Sequence, residues 1–377
     1  MDVPFWVWAV TVAAIVGMLL FDFVGHVRTP HAPTLRESAI WSAVYVGIAV
    51  VFGLLIFWFY GADYGGQYFA GYITEKSLSV DNLFVFVLIM ASFGVPRELQ
   101  QKVLLFGITF ALVLRTVFIA VGAAAIENFS WVFYLFGAIL VYTAYVQARS
   151  GGHSEEEDYR DNAVLRFTRK VLPTTDEYHS DRMTVSVDGK RFITPLAIAL
   201  IAIGSADIIF AVDSIPAIFG LTQETFLVFA ANAFSLLGLR QLFFLIDGLL
   251  DRLVYLAYGL AVILGFIGAK LVIHALHTNE LGFINGGEHV TVIPEIPTWL
   301  SLIVILVTLL VTTLASLAKN RRVRAQLVAA EAATREAGSA GPAGPAGPAG
   351  ADGGATDSPG VGVAVGSSND VAVTAPH

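Results

Sequence analysis

Cysteine is absent from the 377-residue chain, and charge is scarce: Asp, Glu, Lys and Arg together make up 14% of it. The first absence removes disulfides, thiolate metal sites, CxxC haem attachment and cysteine nucleophiles. The second is far from an ordinary soluble domain, where about 25% of residues are charged. With 56% hydrophobic residues and a mean hydropathy of +0.72, the apolar excess is more than a water-soluble globule of this length can bury. Lipid is therefore the second solvent. The net charge of −8 sits largely in loops and makes no case for a nucleic-acid partner. The eight His are scattered, without metal-ligand spacing. The opening stretch MDVPFWVWAVTVAAIVGMLLFDF has no basic leader and no small-residue cleavage site, so it reads as a retained helix. A P-loop, a Gly-rich nucleotide motif, HExxH and a nucleophile elbow are all missing. These absences argue against direct use of ATP and against an enzyme.

What is present is a series of apolar runs. About 20 such residues cross a hydrocarbon core of ~30 Å. The runs at 5–25, 39–60, 66–91, 102–125, 129–147, 193–219, 225–247, 252–274 and 298–318 meet that length. The expected fold is an all-α polytopic membrane protein of about nine transmembrane helices. Of the 22 basic residues, 18 fall in one set of connecting segments and four inside spans; the opposite set carries Asp63, Glu127, Glu224, Glu280, Glu288 and Glu295 instead. By the positive-inside rule the N-terminus lies outside and the C-terminus in the cytoplasm.

A repeat lies within the spans. The third contains ITEKSLSVDNLFVFVLI and the sixth IGSADIIFAVDSIPAIF. Each places one acid six residues before another, Glu75 then Asp81 and Asp207 then Asp213, and Asn82 or Ser214 follows the second acid. The next span in each half carries Leu-Arg, with Arg115 in one and Arg240 in the other. Three spans separate the copies, so they run in opposite directions, the usual build of a secondary transporter. Chain organisation follows: two N-terminal helices over 1–62, a first three-helix repeat over 63–147, a cytoplasmic loop over 148–192 and a second repeat over 193–275. An outer loop and last helix occupy 276–324, and a disordered cytoplasmic tail 325–377. Within the loop, MTVSVDGKRFITP has the alternation of a hairpin around Asp188-Gly189.

Acids at bilayer depth cost at least about 2.5–3.5 kcal/mol each on insertion scales, so four of them in a repeat point to an ion path. Carboxylate, amide and hydroxyl oxygens, with neither Cys nor His, suit a hard divalent cation such as Mn²⁺, Ca²⁺ or Mg²⁺. Glu75, Ser79 and Asn82 share one helical stripe, as do Asp207 and Ser214. Two layers are expected, Glu75 with Asp213 and Asp81 with Asp207, and Pro216 is a candidate helix break that frees the Val212 carbonyl. Arg115 and Arg240 are read as charge balance for these acids or as gating residues, and Asn232 as a ligand or an interhelical hydrogen bond. Lys76 is read as snorkelling or locally ion-paired. Asp22 and Asp247 are read as hydrated helix ends, and GLAVILGFIG as a close-packing face.

The motifs EKSLSVDNLFVF and DIIFAVDSIPAIFGLT, with LRESAIWSAVYVG, LVLRTVFIAVGAA, SWVFYLFGAILVYTAY, NAFSLLGLRQLFFL and YLAYGLAVILGFIGAKL, resemble the TerC family over about residues 15–320. That family is named for tellurium resistance, includes Alx-type proteins and sits within a LysE-like exporter group. The resemblance implies a bacterial inner-membrane protein that exports Mn²⁺, with Ca²⁺ or other divalent ions as further cargo. Its acids map onto Glu75, Asp81, Asp207 and Asp213, beside Asn82 and Ser214. Many relatives carry an acid and a Thr just before the position of Asp207, where this chain has Gly204 and Ala206. Asp247 stands where a small residue is expected. No resident cofactor is expected. The coupling envisaged is exchange for protons on the same carboxylates, and the alternative is a scaffold in a metalloid-stress complex docking partners through the cytoplasmic loop.

Overall fold

A computed structural model describes residues 1–27, 34–150, 175, 182–187, 190–246, 255–281, 284–290 and 292–339. It divides into two compact units, Met1–Arg324 and Ala325–His377. Most of the acidic EEED loop, Asp188-Gly189, Asp247 and the AGPAGPAGPAG tail lie outside the described residues. The helices are α1 (Phe5–Asp22), α2 (Leu35–Tyr60), α3 (Ala62–Ser92), α4 (Arg97–Asn128), α5 (Val132–Ser150), α6 (Pro195–Phe219), α7 (Thr225–Leu236), α8 (Leu239–Ile246), α9 (Leu256–His277) and α10 (Thr298–Ser339). Between α5 and α6, β1 (Thr184–Val187) pairs antiparallel with β2 (Lys190–Ile193), Val187 opposite Lys190, as the alternation around residues 188–189 predicts.

Eight stretches among the described residues are long and apolar enough to span a bilayer, α7 and α8 together forming one of them. Helix α3 makes a ninth crossing of 31 residues. Its apolar run is interrupted by Glu75, Lys76 and Asp81. The protein is thus an all-α polytopic membrane protein. Its outward faces are apolar as lipid demands: Val113, Val117 and Val121 on α4 and Leu310, Val311 and Leu314 on α10 are exposed.

The two halves interlock as an exchange symmetry requires. Helix α3 packs on α7 and α4 on α6, while α5 packs on α9 and α3 on α6. Exchanging α3 with α6, α4 with α7 and α5 with α9 maps this set of neighbours onto itself. The α5–α9 contact depends on glycine. A Cβ on Gly137 falls 3.0 Å from the Gly268 carbonyl oxygen, and one on Gly268 falls 3.1 Å from the Gly137 carbonyl oxygen. Two backbones approach this closely only where neither bears a side chain, the small-residue packing GLAVILGFIG suggests.

The seventh span is broken, and not the sixth. Helix α6 continues through Pro216 to Phe219, although Pro216 lacks the amide hydrogen that would bond the Val212 carbonyl. The break falls at Leu237-Gly238. Leu237 is extended (ψ 134°) and Gly238 takes φ +80°, so α7 ends there and α8 begins at Leu239. A Cβ on Gly238 meets the Tyr45 Cβ at 2.9 Å. Gly238→Ala therefore adds both a disfavoured backbone and a clash. The expected loss is about 1–3 kcal/mol, read as a lowered midpoint of thermal unfolding in detergent.

Candidate ion site at the repeat interface

Each half delivers its first acid to the same place. On α4 the buried stripe Gln101, Leu104, Ile108, Ala111, Arg115, Ile119 recurs every three to four residues, so Arg115 faces inward from mid-helix. On α3 the stripe is Tyr68, Tyr72, Glu75, Ser79, Leu83 and Phe86, and on α6 it is Ala199, Ile203, Asp207, Ala211 and Ser214. Where these stripes meet, the Arg115 guanidinium donates through Nη1 to Glu75 Oε1 and through Nη2 to Asp207 Oδ1, the latter at 3.1 Å. Exposure of the three is 0% for Arg115, 1% for Glu75 and 2% for Asp207, so water does not screen them. Asp213, half-buried one turn and a half further along α6, lies within charge–charge reach of Arg115 and Glu75.

The polar atoms around this triad are unusually under-used. Glu75 Oε2, Asp207 Oδ2 and Arg115 Nε are buried without a hydrogen-bond partner in the protein. So are Thr74 Oγ1, Ser79 Oγ, Ser214 Oγ and both amide atoms of Asn232, on α3, α6 and α7, of which α3 packs against both of the others. Buried polar atoms are nearly always satisfied, so these unpaired ones are candidates for holding an ion. Among the described residues, no three His, Cys, Asp or Glu side chains converge closely enough to hold a metal ion. In this arrangement one guanidinium is shared by the two acids.

The remaining residues singled out by sequence are distributed differently from expectation. Glu75 and Asp207 share Arg115 across the two expected layers, Asp213 stays within charge–charge reach of Glu75, and Asp81 accepts from Gln147 Nε2 on α5 at 3.1 Å. Which acids meet across helices depends on the crossing of α3, α4 and α6, which helix periodicity does not carry. Asn82 is half-buried beside Asp81. Arg240 does not balance the acids of its own repeat. It donates through Nη2 to Asp22 at the end of α1 at 3.0 Å and through Nη1 to Gln101 at 3.4 Å. Asp22 is 3% exposed with Tyr45 beside it, a buried partner and not a hydrated helix end.

Lys76 was likewise misread. Its ammonium donates to the Ser235 carbonyl at 3.0 Å and to the Leu237 carbonyl at 3.5 Å. These oxygens lie at the C-terminal end of α7, where the break leaves carbonyls without intrahelical donors and the helix dipole favours a cation. The sequence signal for this was Gly238 inside an apolar span, which by itself reads as helix packing.

Removing one partner of the Asp22–Arg240 pair leaves a buried charge without its counter-ion. Arg240→Met alone is expected to cost about 3–5 kcal/mol, and Asp22→Asn in the same chain to recover most of it. A double-mutant cycle on thermal unfolding in detergent checks this, and additive losses would show the pair to be uncoupled.

Comparison with known proteins places this arrangement. The sequence profile of the integral membrane protein TerC family matches residues 60–324, which hold every residue of the triad. The membrane protein Rv2723 of Mycobacterium tuberculosis is 56% identical over 302 residues, covering 80% of this chain and 76% of that protein. The membrane protein STKORF319 of Myxococcus xanthus is 38% identical over 269 residues, 71% of this chain and 83% of its own. An Escherichia coli K12 protein named as a candidate membrane-bound redox modulator, Alx, is 40% identical over 255 residues, 65% of this chain and 78% of its own. No solved structure matches. The chain belongs to the TerC family of integral membrane proteins.

Proposed function

We propose that this protein is a secondary transporter that exports divalent metal cations, Mn²⁺ foremost, from the cytoplasm of a bacterial cell. The observation that carries the reading is the pair of equivalent acids, Glu75 and Asp207, buried on one shared guanidinium at the contact of two repeats with an oxygen of each unpaired. An intramembrane carboxylate pair is expensive, and transport of a cation is what justifies it physically. The available ligands are carboxylate, hydroxyl and amide oxygens, which favour a hard ion over a thiol-seeking one. Asp81 and Asp213 extend the path to either side of the pair, with Asn82, Ser214 and Asn232 as neutral oxygen ligands.

Orientation comes from the basic residues, which put the N-terminus outside and the C-terminus in the cytoplasm of an inner membrane. Moving a divalent ion outward against an inside-negative potential costs about 2.3 kcal/mol per charge per 100 mV, so a counter-flow is needed. Protons entering on the same carboxylates supply it in this reading. The redox name carried by one relative reaches this chain only indirectly, because a chain without cysteine has no thiol–disulfide chemistry of its own.

Everted membrane vesicles turn the cytoplasmic face outward, so the wild type should accumulate Mn²⁺ inside them. Glu75→Gln, Asp81→Asn, Asp207→Asn and Asp213→Asn should each lower the initial rate by about tenfold or more, the effect of losing 1.4 kcal/mol of ion binding. Wild-type flux no greater than that of empty vesicles, or equal flux in all the variants, would sink the transporter reading. Attention would then turn to a scaffold role for the loop over 148–192.

A further inference from the structure

The triad poses a problem for any cation that is to use it. Arg115 already holds one oxygen of Glu75 and one of Asp207, through the two terminal nitrogens of a single guanidinium. A divalent ion needs oxygen ligands at 2.0–2.6 Å all round it, and a guanidinium bonded to both acids occupies one oxygen of each and neutralises part of their charge. The guanidinium itself is poorly accommodated. Arg–carboxylate pairs built for permanence are commonly bidentate. Here Arg115 gives each acid a single bond, Arg115 Nε has no partner, and the second oxygen of each acid has none. Further unpaired hydroxyls on α3 and α6, those of Thr74, Ser79 and Ser214, are as suited to a metal ion as to a guanidinium. The partner repeat supplies the contrast. Arg240 occupies the matching sequence position but is anchored on Asp22 and Gln101, away from the acids. Only one of the two arginines enters the ion site.

We propose that Arg115 is a tethered surrogate cation: its guanidinium fills the Glu75–Asp207 site when no ion is bound and leaves when a divalent ion enters. This rests on the transport reading and adds the residue that sets affinity and release. Arg115 competes with the cargo intramolecularly, keeps two buried carboxylates neutralised in the empty protein, and expels the ion by returning. Strong binding by paired acids would otherwise make release slow. The opposing view is that Arg115 stays in place while an ion binds the far oxygens, Glu75 Oε2 and Asp207 Oδ2. That view makes Arg115 a support for the site, and its removal would weaken binding.

The two views give opposite signs in one titration. Mn²⁺ binding to the purified full chain in detergent is measured by calorimetry for the wild type, Arg115→Gln and Arg115→Lys, with Mn²⁺ flux in everted vesicles alongside. Arg115→Gln should bind Mn²⁺ roughly 5–150-fold more tightly, the usual span of a coupling between two ligands, while its flux at saturating Mn²⁺ falls. Arg115→Lys keeps the charge but offers a point donor that cannot fork between two acids, so its affinity should rise by a smaller factor. Should Arg115→Gln fail to fold with two unpaired acids, Arg115→Lys decides alone. Affinity unchanged or weaker in the folded variants, with wild-type flux intact, overturns the surrogate and leaves the transporter. A wild type that neither binds nor moves Mn²⁺ overturns the transport reading and the surrogate with it.

Discussion

The ion bridge of Glu75, Arg115 and Asp207 is the constraint on which the rest of this membrane protein depends. Taking each ion out of water costs several kcal/mol even after relaxation, and attraction offsets this only when geometry is good and remaining polar atoms are satisfied. Here α3, α4 and α6 each contribute one charge, so none of the three helices can shift alone without stranding a buried ion. The apolar stripes around them, from Tyr68 to Phe86 and from Leu104 to Ile119, fix the rotation at which each charge faces inward. Packing thus holds in place an arrangement that electrostatics by itself would not choose. The unpaired second oxygens show that the arrangement is not optimised for stability.

The pseudo-symmetry of the two halves explains why these acids meet. Glu75 and Asp207 hold the same place in their repeats, and α3 touches α6 directly. Residues that are equivalent under an inverting exchange and share one partner lie where the two halves cross, which is the depth at which a secondary transporter carries its site. The second acids, Asp81 and Asp213, are displaced from that point by six residues, about 9 Å of helix rise. They fall on either side of it. Asp81 is held by Gln147 of α5, while Asp213 remains in the field of Arg115 and Glu75.

Much of this was legible in the sequence, for identifiable reasons. Spans are set by hydropathy over about 20 residues, a property of the chain alone, and α2, α6 and α10 begin or end within a few residues of expectation. The repeat was legible because acids and an arginine in apolar helices are rare enough to stand out. Partners were not legible. Asp22 lies at the end of an apolar run and reads as interfacial, yet α1 and α8 bring it against Arg240 in the interior. Lys76 follows Glu75 in sequence but leaves the acid for carbonyls freed by a break four spans away, and that break turns on the single backbone angle of Gly238. Pro216 looked the stronger breaker, but α6 runs on through it to Phe219.

The two arginines show where the symmetry ends. Leu-Arg recurs in both repeats, but Arg115 sits in an unbroken α4 of 32 residues while Arg240 follows the break, on the short α8. The break and the positive φ of Gly238 accompany a different aim for the second arginine, toward α1, which has no counterpart in the repeat. An exact two-fold arrangement would place two guanidiniums near the acids, and two positive charges there would cancel the field that attracts a cation. With Arg240 paired to Asp22, Glu75, Asp207 and Asp213 face one arginine instead of two. The break at Gly238 thus accompanies a centre where acids outnumber arginines in a nearly symmetric protein.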